Sequence, residues 1–411
     1  MKRHCIRAFW LITTALFFTF SMVGAQVNTG IDVLAEQDFA LLAGKRVGLV
    51  TNPTGVDRNL QSTVDILHAN VDLRALFGPE HGVRGDFSAG DHVGDRVDEA
   101  TGIPVYSLYG KNRKPGAEVL RDVDVIVYDI QDVGVRSYTY ISTMGLVMEA
   151  AAELGKEVVV LDRPNPLGGK RVEGPLVEEG FESFVSQYAI PYIYGLTCGE
   201  LARLLNEEGM LAGGINCKLT VVPMKGWERT MSFDKTGLQW VPTSPHITQY
   251  TSAFYYPATG IIGELDPNMI GIGYTLPFQT LVTENIDATK LSDSMNALRL
   301  DGVLFRPIYL KPYYMARKGV PLQGVQIYIT DLVNAGLTEI QFLFLQEAHR
   351  IDPGFNPFSG KEDRFVMFDK VCGSDRIRKS MMEDFNFEKQ RSYWNRDRES
   401  FRSLSEKYYL Y

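Results

Sequence analysis

The stretch VDVIVYDIQDVG, Val123 to Gly134, starts as a continuous apolar, β-branched run and ends abruptly in carboxylates and a glycine. A run of this kind, without polar alternation, suits a strand buried on both faces. Three similar runs lie nearby: RVGLV (Arg46 to Val50), LRALF (Leu73 to Phe77) and EVVVL (Glu157 to Leu161). Helical spacing follows RVGLV, in LQSTVDILHAN (Leu60 to Asn70). It also follows the Val123 run, in YISTMGLVMEAAAELG (Tyr140 to Gly155), which closes on a glycine where a C-terminal cap belongs. The alternation predicts an α/β fold with a parallel, doubly wound, Rossmann-like sheet.

Each run exits into a polar loop: TNPTG (Thr51 to Gly55), GPEHG (Gly78 to Gly82), DIQDVG (Asp129 to Gly134) and DRPNP (Asp162 to Pro166). The C-terminal strand ends of an open parallel sheet share one edge, where ligands bind. That edge gathers Asn52, Glu80, His81, Arg84, Asp129, Asp132, Arg136, Tyr138, Asp162 and Arg163 as candidate site residues. Further along, TCGELARLLNEEG (Thr197 to Gly209) has capping-box spacing, KLTVVPM and GVQIYITD read as short strands, and LTEIQFLFLQEAHRI (Leu337 to Ile351) as a helix. We therefore expect a Rossmann-like domain over 26–185 and a smaller α+β domain over 186–411, with a cleft between them.

The first residues read as a leader rather than as fold. Lys2, Arg3 and Arg7 precede an uncharged apolar run to Val23, and VGA supplies small residues for cleavage after Ala25. Its removal takes the net charge of -8 lower still and leaves no stable membrane anchor. The expected location is periplasmic or secreted. An acidic protein without Lys/Arg clusters does not suit nucleic acid as a partner. Cys198, Cys217 and Cys372 are an odd set, so at most one disulfide can form among them.

The turn after the first run, VTNPTGVDRN, lacks the glycine spacing that admits a pyrophosphate, and the chain has no P-loop. His81, Asp86, Asp91, His92 and Asp95 crowd together without a tight ligand spacing, so neither metal nor cofactor is expected. Carboxylate chemistry remains. Glu80 leaves a buried strand between Pro79 and His81, where partial desolvation suits a general acid. The competing role is a loop salt bridge to Arg84 or Arg136. His81 suits orienting Glu80 or binding a sugar hydroxyl, and Tyr106, Tyr109, Tyr138 and Tyr140 suit stacking on a sugar face.

NPTGVD, LFGPEHGVRGD, VYSLYGKNRKP, DVIVYDIQDVGVRSYTY and VLDRPNPLGGKRVEGP closely resemble the exo-β-N-acetylmuramidases, glycoside hydrolase family 171, formerly a domain of unknown function. GLTCGELARLLNEE, VVPMKGWER and TGLQWVPTSP extend the resemblance through the second half. The resemblance implies a Rossmann-like domain and a smaller domain around a cleft. It also implies release of N-acetylmuramic acid from the non-reducing end of peptidoglycan fragments in cell-wall recycling, and a catalytic glutamate at Glu80. Family members often carry Glu-Gly-Thr-Asn…Ser-Glu-Gly-Arg-Gly-Thr before a Pro-Phe pair, whereas this chain reads GELDPNMIGIGYTLPF (Gly263 to Phe278). Glu264 keeps the first glutamate; Ile270 and Ile272 replace the later charged pair, which marks a divergent member.

The expected function is thus an exported exo-acting glycosidase of muramyl saccharides, with Glu80 as general acid and Asp132 or Glu264 as second carboxylate. Arg84, Arg136 and Arg163 are the candidates for holding the lactyl carboxylate of the sugar. A periplasmic sugar-binding protein without turnover, or a glycosidase of another sugar, are the alternatives.

Overall fold

The computed structural model describes residues 26–85 and 96–411. The expected leader, and Asp86, Asp91, His92 and Asp95, lie outside the described residues. Every predicted run of the first half is a strand: β1 Arg46–Thr51, β2 Asp72–Gly78, β5 Val125–Asp129 and β6 Glu157–Leu161. Three more join them, β3 Arg96–Val97, β4 Pro104–Ser107 and β7 Lys218–Val222. The sheet order is β3-β4-β2-β1-β5-β6-β7, parallel throughout except for β3. Leaving β3 aside, this is the Rossmann-like order, reversing direction at β1 and β5.

Alternation along these strands sends successive side chains to opposite faces. Val47, Leu49, Leu76, Val125, Val127 and Val159 pack into one core; Val50, Phe77, Ile126, Tyr128, Val158 and Val160 pack into the other. The crossover helices Thr63–Asn70, Tyr140–Glu153 and Cys198–Glu207 supply the outer layers. Their ends follow the sequence signals. Thr197 and Glu200 form the capping box, and Gly155 adopts φ +64 just beyond the Tyr140 helix.

The expected boundary after residue 185 is corrected by β7, which pairs in register with β6 from Glu157↔Lys218 to Leu161↔Val222. KLTVVPM is therefore an edge strand of the first sheet, and the first unit runs well past 185. The second unit is built on an antiparallel sheet, β8 Thr280–Thr283, β9 Val303–Leu310 and β10 Leu322–Ile329, in the order β8-β10-β9. Helices Ser252–Gly263, Ala288–Ala297 and Ile340–Ile351 pack around it. Cys198, Cys217 and Cys372 are all free thiols and buried.

The two units share a core. Val133 and Val135, from the loop after β5, sit in the same apolar cluster as Phe254, Ile327 and Phe342 of the second unit. Between and beyond them Arg136 is fully buried. Its guanidinium donates to the carbonyls of Pro175 (2.8 Å), Ile190 (2.6 Å), Val371 (3.1 Å) and Cys372 (2.9 Å), and to Ser186 Oγ (3.2 Å). Burial lowers its pKa to about 10, which leaves it charged at neutral pH. Gly373 lies against it at φ +81; a Cβ there would come within 2.9 Å of Nη2.

Removing the guanidinium strands several buried carbonyls at once, and each bond to a charged donor is worth about 1.5–3 kcal/mol. Arg136→Met should destabilise the protein by at least about 3 kcal/mol in denaturant titration. A midpoint shift no larger than that of a surface substitution contradicts this reading of the clamp.

Candidate active site

The strand exits build the site unevenly. After β2, His81 and Gly82 both take left-handed backbone, φ +72 and +73, and a Cβ at Gly78 would lie 3.2 Å from Gly82 Cα and Val83 N. This tight turn brings Glu80 and His81 into a cleft of about 520 Å³. The neighbouring strand β4 delivers Tyr109 and Arg113, and the β5 exit delivers Ser137 to Tyr140. The facing wall comes from Ser244 to Ile247, Tyr256, Glu264, Phe278 and Lys370.

Glu80 and Glu264 meet this cleft from different walls. Tyr109 hydrogen-bonds Glu80, and its phenol is pushed up to about 12 by burial, then by the charge of Glu80. Tyr140 is raised too, by burial, by Tyr138 and by the same glutamate. Desolvation raises the Glu264 carboxyl, opposed by the Arg364 guanidinium 3.8 Å away. An aromatic run joins the two sides. Tyr138 packs edge-on to Tyr140 (5.0 Å) and to Tyr256 (5.6 Å), and Tyr256 to Phe278 (5.1 Å). Tyr138 is held by its hydroxyl on Thr243 Oγ1 at 2.8 Å, and Tyr256 by Ser137 Oγ at 3.0 Å. Tyrosines fixed in this way present apolar ring surface beside polar atoms, the mixture a pyranose needs.

Six expected residues thus line the cleft, Glu80, His81, Tyr109, Tyr138, Tyr140 and Glu264, whereas Tyr106 stacks on Phe77. The others stand elsewhere, and packing explains why. Arg84 forks onto Asp98 (2.9 and 3.0 Å) and reaches Asp65 (2.9 Å). Arg136 is the interdomain clamp. Arg163 forks onto buried Asp129 at 2.5 and 2.9 Å, and Asp129 also accepts from Thr63 Oγ1 at 2.5 Å. None of these three arginines lines the cleft, so the expectation that one holds the substrate anion is corrected; among the described residues, the Lys and Arg side chains that line it are Arg113 and Lys370. Asn52 holds its own turn, accepting from Thr54 N and Oγ1 at 3.0 and 2.6 Å. Asp162 caps the Cys198 helix through Gly199 N (2.8 Å) and accepts from Thr197 and Tyr411, both at 2.7 Å. The first residues beyond β1, β5 and β6 are thus mostly buried and bonded to their surroundings, and the β5 loop reaches the cleft only further on, at Ser137 to Tyr140.

Asp132, the other expected second carboxylate, is buried and does not line the cleft. It accepts from Tyr194 Oη at 2.5 Å and Gly134 N at 2.6 Å, and its remaining oxygen is buried without a partner. Arg113, His246, Tyr256 and Lys370 carry no local signal of a site in the sequence. Arg113 follows a strand of four residues, too short to stand out, within VYSLYGKNRKP. His246 directly follows TGLQWVPTSP.

The profile described as Exo-beta-N-acetylmuramidase NamZ, N-terminal, matches residues 47–251, and its C-terminal counterpart matches 254–411. This chain belongs to the exo-β-N-acetylmuramidase NamZ family. The two profiles meet where the structure passes from the first unit to the Ser252–Gly263 helix. Peptidoglycan beta-N-acetylmuramidase NamZ of Bacillus subtilis (strain 168) is 44% identical over 388 residues, 94% of this chain and 92% of that one. A DUF1343 family protein of Bacteroides fragilis shares the fold at TM-score 0.90 and 56% identity, covering 94% of this chain and 99% of that one. A second one from the same organism matches at TM-score 0.70 and 28% identity over the same shares. In Gly263 to Phe278, Ile270 and Ile272 are buried in the core of the second unit, while Glu264 stays at the cleft.

Burial pushes the Asp132 carboxyl up to about 7 and that of Asp162 up to about 6, from an ordinary 3.8. The folded state then holds protons that the unfolded chain releases, so this stability is full below about pH 4 and is lost as pH rises through the folded values. Thermal midpoints should show a component that descends between about pH 4 and pH 7, which Asp132→Asn removes. An identical pH profile in wild type and variant contradicts it.

Proposed function

We propose that this glycosidase is an exported, exo-acting β-N-acetylmuramidase that releases N-acetylmuramic acid from the non-reducing end of peptidoglycan fragments. The observation that carries the reading is the pairing of Glu80 and Glu264 on two walls of one cleft, with the Tyr140–Tyr138–Tyr256 run between them. Glycoside hydrolysis needs one carboxyl to protonate the leaving oxygen and a second to act on the opposite side of the sugar. Glu80, set beside the Tyr109 phenol, donates the proton. Glu264, made more basic by desolvation, activates water or orients the 2-acetamido group of the substrate. Arg113 and Lys370 offer cations to the lactyl carboxylate. A receptor would need the same cleft but not two carboxylates at an aromatic floor.

Export rests on the leader pattern over 1–25. Mass spectrometry of the protein recovered outside the cytoplasm should find a chain beginning at Gln26; a full-length chain starting at Met1 in the membrane fraction argues against it.

Glu80→Gln keeps the shape but cannot donate a proton. It should fold, bind muramyl disaccharide, and lose turnover by about 10² to 10⁴. The loss should shrink on aryl muramides with good leaving groups, which need little protonation. Rescue of Glu264→Gln instead of Glu80→Gln by such leaving groups reverses the assignment, and wild-type turnover in Glu80→Gln ends it. In the same assay Lys370→Ala should weaken the muramyl substrate more than its glucosaminyl analogue; equal losses refute the lactyl role.

A further inference from the structure

The second unit carries another groove, of about 500 Å³, at one end of the β9–β10 pair. Tyr274, Tyr309 and Tyr313 line it together with Glu284, Lys311 and Gln323. Tyr309 is 64% exposed and Tyr313 57%. Tyr274 and Tyr313 stand side by side, ring centroids 5.4 Å apart and tilted by 33°. Scattered exposed aromatics need no explanation, but several large rings lining one groove mark a binding surface. Their mixture with long polar side chains suits a ligand with flat apolar faces and a rim of hydroxyls and amides, which describes a saccharide.

The groove is held in shape. Tyr313 N donates to Gly273 O at 2.7 Å, Gly319 N to Pro312 O at 2.9 Å and Arg317 N to Asn268 Oδ1 at 3.0 Å. The Arg317 side chain pairs with Asp266 at 2.5 Å and with Glu284. Asp266, Asn268, Gly273 and Tyr274 all belong to the segment that departs from the family pattern, so that segment builds the groove's support. The same loop also reaches the cleft. Tyr314 Oη lies 2.8 Å from Nε2 of His246, a cleft residue, and the two rings are nearly parallel at 6.4 Å. Neighbouring tyrosines of one fixed loop therefore serve the cleft and the groove.

We propose that this groove is a second saccharide site, which takes sugar units of the same glycan chain beyond the bond being cut. Tyr309 and Tyr313 stack on sugar faces, and Glu284, Lys311 and Gln323 bond the hydroxyl and acetamido groups. The proposal rests on the muramidase reading of the cleft, since that reading supplies the chain. Pre-set aromatic faces cost little ordering on binding, so long chains gain affinity that short substrates cannot.

The test compares wild type with Tyr309→Ala/Tyr313→Ala on an aryl muramide and on a muramyl-terminated tetrasaccharide, together with co-sedimentation on insoluble peptidoglycan. The kcat/KM ratio of tetrasaccharide to aryl muramide should fall roughly tenfold, through KM, and co-sedimentation should weaken, while Tyr309→Phe/Tyr313→Phe keeps both. An unchanged ratio overturns the proposal, as does a loss of the same size on both substrates. If wild type turns over neither substrate, the muramidase reading has failed; the groove is then judged by sedimentation alone, and undiminished binding in the alanine variant overturns it.

Discussion

The structure depends on the loop that leaves β5. Its apolar residues Val133 and Val135 enter the core of the second unit, and Arg136 ties four carbonyls and a hydroxyl of three separate chain segments to one buried charge. A buried guanidinium without those acceptors would be intolerable, and the carbonyls without it would be orphans. Each side therefore fixes the other. The next residues, Ser137 to Tyr140, are the floor of the cleft. The constraint that joins the two units is thus the one that positions the site.

That rigidity matters for the chemistry proposed. Glu80 comes from the first sheet and Glu264 from the end of a helix in the second unit, so their relation is set by how the units meet. A shared apolar core and a buried clamp hold that relation in a way a mobile hinge would not. Glycosidases read carboxylate separation as mechanism, and a fixed interface gives one separation rather than a range. At the exits of β5 and β6, the buried Asp129–Arg163 pair and the Asp162 cap fix the chain in the same manner.

Much of this was legible in the sequence, and the reasons are local. The runs at Val47, Leu73, Val125 and Val158 announce strands because buried parallel strands tolerate no polar alternation, and Gly155 and Thr197–Glu200 mark helix ends by backbone need. The glycine-tight turn at Gly78 placed Glu80 and His81 correctly at a strand exit. What could not be read was which strand exits stay open. Asn52, Asp129, Asp132, Asp162 and Arg163 have the composition of an active site and are consumed by one another, by Thr54, Tyr194 and helix caps. Arg84 and Arg136 likewise carry the right charge in the wrong direction. The far wall came from residues distant in sequence, His246, Tyr256 and Lys370, whose approach is a tertiary fact with no local signature. β7 was placed in the wrong unit because a strand's partner is not written in its own residues.

In the proposed reaction the cleft cuts a glycan and the sugar it releases is N-acetylmuramic acid. The most direct measurement supplies defined disaccharides whose non-reducing sugar is either N-acetylmuramic acid or N-acetylglucosamine and identifies the products over time by mass spectrometry. Many turnovers per protein molecule are expected, with free N-acetylmuramic acid from the first disaccharide and little release from the second. Stoichiometric binding of the first without free sugar, or faster release of N-acetylglucosamine, would contradict it.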